Sequence, residues 1–141
     1  MILFWGCIGL YRVVIADDLP EFLAWLRGLL KGSQDFQVVA SASTGGEALR
    51  LAELLRPDLV IADLDMPDLD RLDVAGQLHK QQPEIKVILV SVHTDQEYQT
   101  IAREAEALAF IPKERLSLAA LRQALGPRGG QPLPPCPGQG Y

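Results

Sequence analysis

The sequence predicts an α/β protein with a five-stranded parallel sheet and helices on both faces, and three observations carry that expectation. Short apolar runs occur at 12–16, 36–42, 59–62, 86–90 and 108–111, several of them rich in Val, Ile and Leu. The run at 59–62 lies between Pro57 and Pro67; it is too short for a buried helix and long enough for a strand covered on both faces. Each run is followed by a stretch with apolar residues at helical spacing, and strict strand–helix alternation implies a parallel sheet with right-handed crossovers. The 141 residues suffice for one domain with its own core.

The first strand is Arg12-Val13-Val14-Ile15-Ala16, and it runs into Asp17 and Asp18. Pro20 suits the first turn of a helix, where its missing N–H costs nothing. Phe22, Leu23, Leu26, Leu29 and Leu30 then recur at helical spacing, with Gly32 in the usual closing position. The second strand covers 36–42. Thr44-Gly45-Gly46-Glu47 fits a capping box and opens a helix carrying Ala48, Leu49, Leu51, Ala52 and Leu55, which Pro57 ends. The third strand delivers Asp63 at its carboxyl end. A polar loop from Leu64 to about Arg71 precedes a helix with Leu72, Ala75 and Leu78 on one face. The fourth strand ends at Ser91, and Thr94 or Asp95 is placed to cap the next helix, to about Ala105. The fifth strand, Leu108-Ala109-Phe110-Ile111, ends at Pro112-Lys113. A last helix carries Leu116, Leu118, Ala119, Leu121 and Leu125. Trp5 and Trp25 read as packing residues.

Composition narrows the function. A net charge of −5 argues against a nucleic-acid-binding face on this segment. Cys7 and Cys136 form no bridge framework and fit a reducing cytoplasm. Residues 1–10 (MILFWGCIGL) are apolar but far short of a membrane span, and they lack the basic start of a signal peptide. An extra strand or packing arm, a dimer contact and a lead from an upstream start codon all remain open for them. Ten of the last sixteen residues are Gly or Pro, so 126–141 reads as a linker or loose tail.

The chemistry gathers at the strand ends. Asp17, Asp18, Asp63, Ser91 and Lys113 each follow a predicted strand, so all five face one edge of the sheet, where open α/β sheets bind ligands. Clustered carboxylates hold a hard divalent cation, and oxygen ligands with retained waters suit Mg²⁺. Such a cation neutralises charge as a phosphoryl group moves onto a carboxylate. An aspartate is a competent nucleophile in that transfer, and a lysine and a serine can stabilise the new phosphoryl oxygens.

The ordered set of motifs resembles the receiver domain of two-component response regulators, across roughly residues 11–125. The resemblance rests on Val14-Ile15-Ala16-Asp17-Asp18, on Asp63-Leu64-Asp65-Met66-Pro67 with Asp70 following, on Lys86-Val87-Ile88-Leu89-Val90-Ser91, and on Phe110-Ile111-Pro112-Lys113. It implies a flavodoxin-like fold of receiver type with strand order 2-1-3-4-5, which puts the site at the reversal between strands one and three. It also implies phosphorylation of Asp63 by a sensor histidine kinase or phosphotransfer protein. Mg²⁺ would be held by Asp17, Asp18, Asp63 and the Asp65 backbone carbonyl. Ser91 and Lys113 would grip the phosphoryl group, and Phe110 would be the switch aromatic. The implied organisation is an apolar extension over 1–11, a receiver domain over 12–125 and a Pro/Gly-rich linker or tail over 126–141. The Ile-Ala-Asp-Asp-x-Pro start and the Lys113-Glu114 ending are most similar to the NarL/FixJ subgroup, whose members usually carry a helix-turn-helix output domain. The expected protein is a cytoplasmic signalling module with a switching interaction or dimer surface, not an enzyme, and with no membrane contact.

Departures from the family pattern touch loop geometry. Arg71 stands where Gly usually follows Asp70, and Glu106 and Ala109 replace two glycines near the fifth strand. A glycine after Asp70 often has φ > 0, so Arg71 implies a changed loop or mild strain there. The alternative reading is a phosphorylation-independent interaction or dimerisation module with an idle pocket. A third, a Mg²⁺-dependent phosphatase with Asp63 as nucleophile and Asp65 as acid–base, would need a longer chain with a cap. Each residue also has an ordinary structural reading: Asp63 and Ser91 as helix caps, Lys113 as a solvated charge and His93 as a loop residue.

Overall fold

The computed structural model describes residues 10–66, 73–93, 95–104 and 106–126. Its elements follow in strict alternation: β1 (Tyr11–Ala16), α1 (Pro20–Lys31), β2 (Phe36–Ala42), α2 (Gly45–Leu55), β3 (Leu59–Asp63), α3 (Asp73–Gln81), β4 (Lys86–Ser91), α4 (Gln96–Glu104), β5 (Ala109–Pro112), a 3₁₀ turn (Lys113–Arg115) and α5 (Leu118–Leu125). All strand pairings are parallel, in the order β2-β1-β3-β4-β5. The expected fold and strand order are therefore present.

Strand parity explains the two-sided core. Successive side chains of a strand point to opposite faces. Val13 and Ile15, Leu59 and Ile61, and Ile88 and Val90 pack on one face with Leu26 and Leu30 of α1 and Leu121 of α5. Val14 and Ala16, Val60 and Ala62, and Val87 and Leu89 pack on the other with Ala48 and Ala52 of α2, Leu78 of α3 and Ala102 of α4. Every residue of β3 is buried, which is why that run lacks the polar alternation of a one-sided strand.

Local signals set the helix ends. Thr44 Oγ1 accepts from the Glu47 N–H at 3.1 Å, and Glu47 reaches back to accept from Ser43 N at 2.9 Å, the reciprocal pattern of a capping box displaced by one residue. α2 stops at Leu55 because Arg56, which precedes Pro57, takes the left-handed conformation (φ 47°). The Arg12 guanidinium donates to the freed carbonyls of Leu55 and Arg56, at 2.9 and 3.1 Å. Ser117 accepts from Ala120 N at 3.0 Å and caps α5, so Leu116 lies before that helix. The Asp35 carboxylate takes two bonds of 2.8 Å from Arg122 of α5, which hold it below its ordinary pKa.

Other expectations are corrected or refined. Gly32 ends α1 with a right-handed backbone (φ −73°), so no glycine-specific conformation is used there. Ser33 completes the turn instead, its hydroxyl donating to Leu30 O and accepting from Phe36 N. Trp25 does pack, on Phe22 with ring centroids 5.6 Å apart, but at the surface, where it is 47% exposed. Leu108 stays outside β5, which begins at Ala109. Trp5, Pro67 to Leu72 (with Asp70 and Arg71), Thr94, the N-terminal extension beyond Leu10 and the tail beyond Gly126 lie outside the described residues.

Glu106, one of the two replacements for glycine, has φ 60°, in the left-handed region that disfavours a side chain. Its carboxylate pairs with His79 in an exposed setting, which returns little stability. Glu106→Gly is therefore expected to stabilise the fold by roughly 0.5–1 kcal/mol, the loss of strain outweighing the added freedom of the unfolded chain. A lower urea midpoint for the variant would contradict this.

Candidate functional site

β1 and β3 are neighbours in register, with Ala16 opposite Ala62. Asp17 and Asp63 each follow that pair by one residue and therefore lie side by side at the carboxyl edge. Both are buried, at 0 and 6% exposure, while Asp18 is exposed. One carboxylate oxygen each from Asp17, Asp18 and Asp63 lies within 4.8 Å of the others. Asp17 Oδ1 accepts from Leu19 N at 2.8 Å, which ties the carboxylate to the start of α1. Its Oδ2 is enclosed beside the Lys113 ammonium at 2.7 Å, in an orientation outside hydrogen-bond geometry.

Lys113 follows β5 and sits on the same side as Asp17 and Asp63. Its Nζ donates to Asp63 Oδ2 at 3.3 Å. Burial alone would lower the Lys113 pKa, but Asp17 and Asp63 together hold it above its ordinary value. Asp63 is pushed up to about 6: burial is the largest cause and the Asp17 charge adds to it, opposed by the Asp65 N–H and by Lys113. The Asp65 N–H donates to Asp63 Oδ1 at 3.0 Å.

Ser91 behaves differently from Lys113. It is fully buried, and its hydroxyl donates to the Asp65 carboxylate at 2.8 Å while accepting from His93 N at 3.0 Å. The parity of β4 puts Ser91 on the side of Val87 and Leu89, opposite the Asp17–Asp63–Lys113 group. Phe110 lies on that same side, partly buried against the α2–α3–α4 core. The Asp65 side chain and His93, whose Nε2 is 3.9 Å from it, belong to this second group. The sequence motif points to Asp65 through its backbone alone, and His93 carries no motif signal. The alternation of β4 was the available signal that Ser91 faces away from Lys113.

The donor set fits a hard divalent cation. It offers three carboxylates, one carrying an enclosed oxygen without a well-formed hydrogen bond, in a span close to the roughly 4 Å between opposite oxygens of a Mg²⁺ octahedron. Across the described residues, no helix is long and apolar enough to cross a membrane.

A doubly wound parallel sheet with an acid cluster and a lysine at its switch point defines a receiver module. The family model described as "Response regulator receiver domain" matches residues 13–125. Over 103 residues the chain is 37% identical to the uncharacterized transcriptional regulatory protein YhcZ of Bacillus subtilis (strain 168), covering 73% of this chain and 48% of that protein. It is 35% identical over 103 residues to the DNA-binding transcriptional activator EvgA of Escherichia coli (strain K12), covering 73% of this chain and 50% of that one. The signal receiver domain of the response regulator NarL from Mycobacterium tuberculosis superposes with a TM-score of 0.76 at 29% identity, over 84% of this chain and 99% of that one. The chain belongs to the response regulator receiver family, and it spans about half the length of these two curated relatives.

The raised Asp63 pKa sets the sign of a stability effect. Folding favours the protonated carboxyl, so this contribution is present at about pH 4 and is lost as pH rises through about 6. Asp63→Asn is expected to raise metal-free stability at pH 7 by roughly 1–2 kcal/mol, after allowance for solvent screening. It should also flatten the dependence between pH 4 and 7. Urea titrations in EDTA check this; a less stable variant at pH 7 would contradict it.

Proposed function

We propose that this chain is the receiver of a two-component signalling system and that Asp63 accepts a phosphoryl group from a sensor histidine kinase or phosphotransfer protein. The observation that carries this reading is the buried Asp63 carboxylate at the end of β3, beside Asp17 and 3.3 Å from Lys113 Nζ. An Asp63 oxygen attacks phosphorus, the phosphorus–nitrogen bond of the donor breaks, and a mixed anhydride forms. Asp17, Asp18, Asp63 and the Asp65 backbone carbonyl would hold Mg²⁺, which when bound neutralises charge on the transferring group. Lys113 leaves its carboxylate partners for the new phosphoryl oxygens.

Ser91 can join Lys113 only by giving up its bond to Asp65. That exchange offers a physical switch: the hydroxyl swings toward Asp63, and Phe110 rearranges on the same side of the sheet. Phosphorylation then shifts a population between two arrangements of the surface between α4 and α5, which serves a partner or a second copy of the chain. The names of YhcZ and EvgA support a role in transcription regulation for the whole protein; residues 12–125 would be its receiver unit, acting in the cytoplasm.

Incubation with Mg²⁺ and acetyl phosphate is expected to add one phosphoryl group by intact mass, and Asp63→Ala is expected to abolish the addition. No addition to the parent chain, or addition that survives Asp63→Ala, would overturn the reading.

A further inference from the structure

Lys113 has a third neighbour besides its two carboxylates. Its ammonium lies 4.3 Å from the centroid of the Phe22 ring, well inside the range at which a ring face attracts a cation. Phe22 stands in the first turn of α1, and Trp25 packs on it with centroids 5.6 Å apart and planes at 30°. Trp25 is itself 47% exposed, so the pair forms an aromatic wall between the acid pocket and the outer face of α1. The Lys113 side chain is only 9% exposed, and a desolvated cation gains more from a ring than an exposed one.

We propose that Phe22 is the positioning residue for Lys113: its ring face, backed by Trp25, fixes the ammonium at the mouth of the acid pocket. This rests on the reading of Asp63 as phosphoacceptor. The physical need is plain. Asp17 and Asp63 both draw the ammonium inward, yet the lysine must release them when phosphoryl oxygens arrive. A ring takes no proton and forms no directional bond, so it holds the cation through that exchange. A serine or threonine at position 22 would instead offer a competing hydroxyl acceptor. An aliphatic side chain would fill the space and supply no attraction.

The test separates the ring's electrons from its volume. The ε-methylene protons of Lys113, observed by NMR in the unmodified chain, are expected to be shifted upfield by the Phe22 ring current, and Phe22→Leu is expected to abolish that shift. Phosphorylation by Mg²⁺ and acetyl phosphate is expected to slow about three- to tenfold in Phe22→Leu. It should recover in Phe22→Tyr, and fall stepwise as fluorinated phenylalanines of nearly equal shape are placed at position 22. A merely structural ring would show no dependence on fluorination. Equal rates across the series, with the parent chain modified, overturn the positioning role alone. An unmodified parent chain overturns the reading of the site and the role together, and an unshifted Lys113 overturns the contact itself.

Discussion

Two carboxylates, Asp17 and Asp63, are buried side by side at the ends of the two central strands, and the rest of the site answers to that constraint. Like charges so placed repel, and each has left water to be there. The protein offsets the cost with one ammonium, Lys113, and with N–H groups from Leu19 and Asp65. The compensation is partial, as the raised pKa of Asp63 shows. A site left short of positive charge in this way is suited to a cation, and then to a phosphoryl group that arrives with one.

The sheet makes this arrangement durable. β1 and β3 are hydrogen-bonded neighbours whose residues below the acids are fully buried on both faces. The carboxylates therefore cannot move apart without opening the core. Lys113 opens the 3₁₀ turn that follows β5, two strands beyond β3, and reaches across the β3 end with its long side chain. Its place is held by that turn and by the Phe22 ring of α1. The strands fix the two acids, and in the proposed phosphoryl transfer the lysine and Ser91 are the parts that exchange partners.

The two faces of the sheet carry different duties. Asp17, Asp63, Lys113 and Phe22 lie on the α1–α5 side. Ser91, Asp65, His93 and Phe110 lie toward α4. Asp63 is joined to the second group through the Asp65 backbone, whose N–H it accepts while the Asp65 side chain takes the Ser91 hydroxyl. This single residue links the acid pocket to the α4 side of the sheet.

Much of this was legible in the amino-acid order. Apolar runs ending in acids, serine and lysine determined the alternation of elements and the common edge of the site, because a strand's length and direction are local properties. The Thr44–Glu47 box and the stop at Pro57 were readable for the same reason. Glu106 was legible as standing in a glycine's place, but that its backbone is left-handed (φ 60°) was not. Tertiary structure decided the rest. Trp25 follows the helical spacing of core residues, yet it is half exposed, because α1 is rotated to aim Leu26 and Leu30 inward. Gly32 had no need of its special freedom, because Ser33 closed the turn. Ser91 lies at the right edge but is bonded to Asp65, because side-chain partners depend on which neighbours the packed strands bring within reach. Sequence order set which residues meet at the edge; packing set which of them touch.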